Sequence, residues 1–92
     1  MANIIVMIYT TLRARLGFSK IELQGKTVDE LLRKLAAVKK PDVKNILFDP
    51  AGHVKNHFVL TLNSEIIDNR KAKTVKVKAG DILHVFPPIS GG

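Results

Sequence analysis

Residue types able to do chemistry are scarce in this 92-residue chain. Cysteine is absent, which removes disulfides, thiolate zinc sites and thiol nucleophiles. Serine stands only at positions 19, 64 and 90, none of them in the strand-turn-helix elbow that exposes a nucleophilic hydroxyl. His53 and His57 lie in a segment that reads as extended, where four residues span roughly 13 Å, too far for one metal ion. His84 shares a strand face with Ile82 and Phe86, a place for packing or an interface, so no metal site is expected. The glycines form neither a Walker loop nor a dinucleotide fingerprint. No cofactor bound by this chain is expected, and any ATP must be held by a partner.

One constellation remains, at the C-terminus: Phe86-Pro87-Pro88-Ile89-Ser90-Gly91-Gly92. The two prolines cannot continue a hydrogen-bonded ladder and favour an extended, polyproline-like exit from the strand before them. Gly91 and Gly92 carry no side chains and reach dihedrals closed to other residues, so the segment can enter a narrow channel and offer the Gly92 carboxylate to another enzyme. Terminal glycines alone commonly mark a frayed end. Here they follow an apolar strand and a double proline at fixed distance, which gives them a purpose.

The elements that must hold this tail follow from periodicity. Ile4, Val6 and Ile8 fall on one side of an extended segment and Ile5, Met7 and Tyr9 on the other, the pattern of a strand central in a sheet. Gly17 breaks the chain, and Ile21 and Leu23 then alternate with polar residues as a strand with one wet face. Thr27-Val28-Asp29-Glu30 predicts a helix start, with the Thr27 hydroxyl as cap and the Glu30 carboxylate returning to the amide of residue 27. Val28, Leu31, Leu32, Leu35 and Val38 form its apolar stripe, and Pro41 helps to end it. Val43 to Phe48 is a short apolar segment of ambiguous type. Asp49 to Gly52 is a turn, Phe58 to Leu62 a third strand, Asn63 to Glu65 another turn before Ile66-Ile67, and Ala79-Gly80-Asp81 leads into a last strand, Ile82 to Phe86. The order is β-β-α-β-β. An α+β domain with a mixed sheet of about four to five strands packed on one main helix is the economical solution, the β-grasp arrangement of ubiquitin-like proteins. Residues 1–92 are then a single domain, with 87–92 a projecting tail.

Composition narrows the class further. The formal charge is +7, concentrated at Lys39-Lys40, Lys44 and the stretch from Arg70 to Lys78. Such a field favours acidic partners, although lysines spaced along a strand read first as a solvated face. Aromatics make up only 5% of the residues and do not interleave with the lysines, which argues against a nucleic-acid stacking platform. The apolar run at Ile4 to Ile8 lacks a preceding basic segment, alternates as a strand does, and is far shorter than a membrane span. A cytoplasmic protein with no membrane partner is expected.

The segment Gly80-Asp81-Ile82-Leu83-His84-Val85-Phe86-Pro87-Pro88-Ile89-Ser90-Gly91-Gly92 resembles the closing pattern of the MoaD/ThiS family of ubiquitin-like sulfur carriers, and its Phe-Pro-Pro element is closer to the MoaD branch. Tyr9 through Leu12-Arg13 to Gly17, and Leu62-Asn63, are similar to further family positions. The resemblance implies that Gly92 is adenylated by an ATP-using, ubiquitin-activating-enzyme-like adenylyltransferase and converted to a thiocarboxylate with sulfur from a donor protein, Gly91 supplying clearance. It also implies the large subunit of molybdopterin synthase as a partner, the chain being a sulfur-donating subunit and not a stand-alone enzyme. Conjugation of Gly92 to lysines, as a protein modifier, is a competing reading, and a basic RNA-binding module is a third. If Leu83 and Val85 face the helix, Ile82, His84 and Phe86 face outward and, with Pro87, Pro88 and Ile89, form the expected partner interface.

Overall fold

In the seven-residue strand β1 (Ala2–Ile8) every second side chain, Ile4, Val6 and Ile8, is almost completely buried, so the core is built on one face of this strand. The structure, a computed structural model, describes residues 2–38, 42–55 and 58–86. Expectations placed on His57 and on Pro87 to Gly92 lie outside the described residues. After β1 come helix α1 (Thr10–Leu16), strand β2 (Lys20–Gly25), helices α2 (Val28–Val38) and α3 (Asp42–Leu47), strands β3 (Val59–Leu62) and β4 (Glu65–Ile67), a single 3-10 turn at Asn69–Lys71, and strand β5 (Ile82–Phe86). The sheet order is β2-β1-β5-β3-β4. Strand β5 runs parallel to β1 and antiparallel to β3, which makes the last strand of the sequence the middle strand of a mixed sheet. This is the α+β, ubiquitin-like β-grasp fold.

Helix α2 covers the inner face of the sheet. The Thr27 hydroxyl accepts a hydrogen bond from the Glu30 amide at 3.2 Å, and the Glu30 carboxylate accepts one from the Lys26 amide at 2.6 Å. The return bond therefore lands one residue before the expected Thr27 amide. Two other amides of the first turn are taken by the chain that follows β4: Val28 donates to the Val75 carbonyl at 3.0 Å and Asp29 to the Ala72 carbonyl at 3.1 Å. Gly25 lies where the strand meets the helix. A Cβ there would sit 3.1 Å from both Leu31 Cδ2 and Glu30 Oε1, so a larger residue would push the two elements apart.

Two expectations need correction, and two segments left without an element type acquire one. Val38 is 42% exposed and leaves the stripe, whereas Ala36, at 4%, joins Val28, Leu31, Leu32 and Leu35 in the core. At 100° per residue Val38 stands only about 20° round from Leu31, so its exposure comes from its place as the last residue of α2 and not from its side of the helix. The segment from Tyr9 to Gly17, given no element type by its spacing, contains helix α1. Its Leu12 and Leu16, four residues apart, close one end of the core, and Gly17 ends it at φ 84°. The ambiguous stretch after α2 is helical, with Val43 and Leu47 buried in the same i, i+4 relation. Finally, the lysine-rich stretch from Arg70 to Lys78 is not a strand. It is a 3-10 turn and loop with one isolated bridge, Lys76 to Thr27.

The turn at Asp49–Gly52 is as expected, with Gly52 at φ 89°. The Asp49 carboxylate accepts from the His53 amide at 3.0 Å, and that bond holds its pKa below the ordinary value. Because the folded value is the lower one, this bond stabilises the fold above the unfolded-state pKa and its contribution is lost as pH falls through the folded value.

The displaced stripe separates two substitutions that the sequence pattern treats alike. Leu35→Ala should destabilise the protein by about 3 kcal/mol, and Val38→Ala by less than about 0.5 kcal/mol, in urea unfolding. Equal losses would show that α2 is rotated from the orientation described.

Candidate partner interface on the open sheet face

The β5 alternation places its five side chains on two faces. Leu83 and Val85 are fully buried against α2, while Ile82, His84 and Phe86 are half-buried on the other face. That is the division expected from the sequence. The pairing register extends it across the sheet, because directly opposed residues share a face. Ile66, Thr61, His84, Met7 and Lys20 form one row from β4 to β2. Ile82, Ile5 and Glu22 form a second, and Val59 stands opposite Phe86 in a third. Ile66 is 79% exposed and Val59 44% exposed, so the β3-β4 side of this face presents open apolar surface.

Aromatic packing stiffens the end of the face from which the tail departs. Tyr9, two residues past Met7, stacks on Phe86 with ring centroids 4.5 Å apart and planes 14° from parallel. Its hydroxyl lies 2.8 Å from His84 Nδ1, and the His84 ring is itself near-parallel to both neighbours at 5.9 Å. Phe86, the last residue before Pro87, is thus held from two strands. His84 is engaged in this stack, and no group of three or more metal-ligating side chains occurs among the described residues.

The other end of β5 is locked by polar bonds. The Asn63 amide side chain donates to Asp81 Oδ1 at 3.2 Å, and its oxygen accepts from the Ile82 amide at 3.0 Å. The Asn63 amide nitrogen donates to the Ile82 carbonyl at 2.7 Å, and Asp81 Oδ2 accepts from the Lys78 amide at 2.9 Å. Asp81 is buried at 6% exposure, yet each of its oxygens has a partner. Asn63 takes φ 60°, a left-handed conformation that asparagine tolerates better than most residues, and Gly80 turns at φ 91°. Leu62-Asn63 and Gly80-Asp81, distant in sequence, are two halves of one clamp that sets the start of β5.

Ile82, His84 and Phe86 therefore meet on one face, while Pro87, Pro88, Ile89, Gly91 and Gly92 lie outside the described residues. The sequence groups Ile5, Met7 and Tyr9 on one side of a strand expected to be central, and β1 is an interior strand of the sheet. Val59 and Ile66 were missed. Their signal is the outward phase of the short strands β3 and β4, readable only once the pairing with β5 is known.

Residues 6–92 match the ThiS family. The chain belongs to this family. Small archaeal modifier protein 1 of Methanosarcina acetivorans superposes with a TM-score of 0.85 at 24% identity, covering 100% of this chain and 98% of that one. The Amycolatopsis orientalis BexX/CysO complex contains a chain similar at TM-score 0.78 and 23% identity, with 97% and 99% covered. A complex of subunits 1 and 2 of molybdopterin-converting factor from Helicobacter pylori contains one similar at TM-score 0.62 and 21% identity, with 98% and 99% covered. No curated protein sequence matches the chain. Among the described residues no helix is long and apolar enough to cross a membrane.

The ThiS-family clamp carries its own prediction. Asp81→Ala leaves the Lys78 amide and the Asn63 side chain without their acceptor, and should cost about 2 kcal/mol in urea unfolding. The Phe86 and Tyr9 resonances should shift far less than those of Lys78 and Ile82. Uniform shifts along β5 would mean that the clamp is not confined to one end.

Proposed function

We propose that this ThiS-family chain is a sulfur carrier whose reacting group is the Gly92 carboxylate. The observation that carries the reading is continuity: the central strand whose outer side chains build the open apolar face runs directly into Phe86-Pro87-Pro88-Ile89-Ser90-Gly91-Gly92. A partner docked on that face receives the chain end at its own active site.

The chemistry follows from the carboxylate. Gly92 as a free carboxylate resists nucleophiles, so it must first attack the α-phosphorus of ATP in an adenylating partner, releasing pyrophosphate and forming an acyl adenylate. Sulfur at the oxidation level of sulfide, supplied by a donor protein, then adds to the acyl carbon, and AMP leaves with the bonding pair. The product is a thiocarboxylate. Gly91 keeps the approach to that carbon free of side chains. ATP is bound by the partner and not by this chain. In the finer reading the acceptor is a pterin precursor, and this chain is the small subunit of a molybdopterin synthase. The Phe-Pro-Pro element and the likeness to a chain of the Helicobacter pylori subunit 1 and 2 complex support it.

A second reading has its own support. The likeness to small archaeal modifier protein 1 favours attack on the same acyl adenylate by a lysine amine, giving an isopeptide instead of a thiocarboxylate. Both readings share the first step.

Intact-mass measurement separates them. Incubated with an adenylating partner, ATP and a sulfur donor, the chain should gain the mass difference of one oxygen exchanged for one sulfur, and a variant extended beyond Gly92 by one alanine should gain nothing. Isopeptide remnants of Gly92 on lysines, with no thiocarboxylate under conditions that convert a control carrier, would replace the first reading by the second.

A further inference from the structure

At the end of the sheet away from Phe86, backbone pairing gathers cations that are scattered in sequence. The Val77 amide donates to the Lys26 carbonyl at 3.0 Å, and Lys76 bridges to Thr27, which brings the start of α2 beside the loop from Lys71 to Lys78. Along that loop Ala72, Val75 and Val77 turn inward, and Lys71, Lys73, Lys76 and Lys78 are exposed, as is Lys26. Five lysines thus line one strip.

Four carboxylates stand around this strip, each bonded to a backbone amide or an arginine, and the charge of Lys71 also acts on Asp68. Glu30 receives the Lys26 backbone amide, Asp29 pairs with Arg33 at 2.7 Å, and Asp81 is buried in the β5 clamp. Asp68 pairs with Arg70 at 3.2 Å, a contact that lowers the aspartate pKa and raises that of the arginine. Among the described residues none of the five lysine ammonium groups forms an ion pair. A solvated lysine face usually interleaves both signs. This one sets five lysines and Arg70 against the four carboxylates just named, an excess of positive charge in a chain whose net charge is +7.

We propose that Lys26, Lys71, Lys73, Lys76 and Lys78 form a binding strip for the phosphate backbone of double-stranded nucleic acid. Two features favour phosphate over an acidic protein surface and a duplex over a single strand. Protein interfaces need an apolar centre, and here Val75 and Val77 are tucked towards the core, leaving ammonium groups as the strip's contact points. Binding of a single strand relies on aromatic stacking platforms, and the strip contains none. Phosphate contacts carry no sequence information, so recognition is of backbone charge alone. The strip adjoins the start of β5 and the tail leaves its other end, so a carrier bound to nucleic acid keeps Gly92 free for its partner.

Fluorescence anisotropy with the full chain and a labelled 20-base-pair RNA duplex tests this. With five phosphates neutralised, the logarithm of affinity should fall with that of salt at a slope of about −4.5, a loss of about 500-fold between 50 and 200 mM. Lys73→Ala/Lys76→Ala should flatten the slope by about 2, whereas Arg13→Ala/Arg15→Ala, an equal loss of charge on α1, should leave it unchanged. Equal effects of the two variants, or no binding at 50 mM salt, would overturn the proposal. So would displacement of the duplex by poly-glutamate at equal charge concentration, which would identify an acidic protein as the occupant. Thermal melts of both variants should match the parent, since all four side chains are exposed.

Discussion

The position of β5 governs the rest of the molecule. The last strand in sequence is inserted between β1 and β3, parallel to one and antiparallel to the other, so the chain cannot finish its sheet until its end has been made. The period of two then fixes everything that touches this strand. Leu83 and Val85 complete the core under α2, and Ile82, His84 and Phe86 must appear on the opposite face. One strand is both the structural centre and the carrier of the candidate interface's outward side chains. Its two ends are held by different physics: five hydrogen bonds among Asn63, Lys78, Asp81 and Ile82 at the start, and ring stacking of Tyr9 on Phe86 at the finish.

Much of this was legible before the structure. The β5 faces, the capping hydroxyl of Thr27, the turn at Asp49–Gly52 and the β-grasp order all follow from local spacing, because each depends on residues within one or two turns of each other. Helices α1 and α3 were not legible. With seven and six residues they are too short to show helical periodicity beyond one i, i+4 pair, and they are helical because Leu12, Leu16, Val43 and Leu47 fill the ends of the core. The Arg70 to Lys78 loop misleads for a related reason. Its alternation of valine and lysine mimics a strand, yet apart from one bridge its backbone bonds are turns within the loop, links to Asp81, and bonds to Lys26 and the first turn of α2.

The candidate interface divides in the same way. Ile82, His84 and Phe86 sit on one strand and could be read from it. Ile5, Met7, Val59 and Ile66 come from three other strands and join them only through register. The apolarity of both faces of β1 has a specific cause: one face is core, and the other faces outward on the open side of the sheet. The resemblance to MoaD/ThiS closing motifs gains a physical basis as well, since the Asn63 and Asp81 positions that carry it bond to each other. The proposed lysine strip lies at the end of the sheet opposite Phe86.

The central claim is that the open sheet face delivers Gly92 to the adenylating partner. Steady-state kinetics of ATP-dependent activation, with the carrier as varied substrate, tests it through two exposed positions on opposite sides, Ile66 on β4 and Ala37 on α2. Ile66→Asp should raise KM at least about tenfold with kcat nearly unchanged, as expected for loss of an apolar anchor at an interface. Ala37→Asp should leave both constants as they are. Equal kinetics for Ile66→Asp and the parent, or a larger loss in Ala37→Asp, would show that the partner docks on the helical side and would contradict the account.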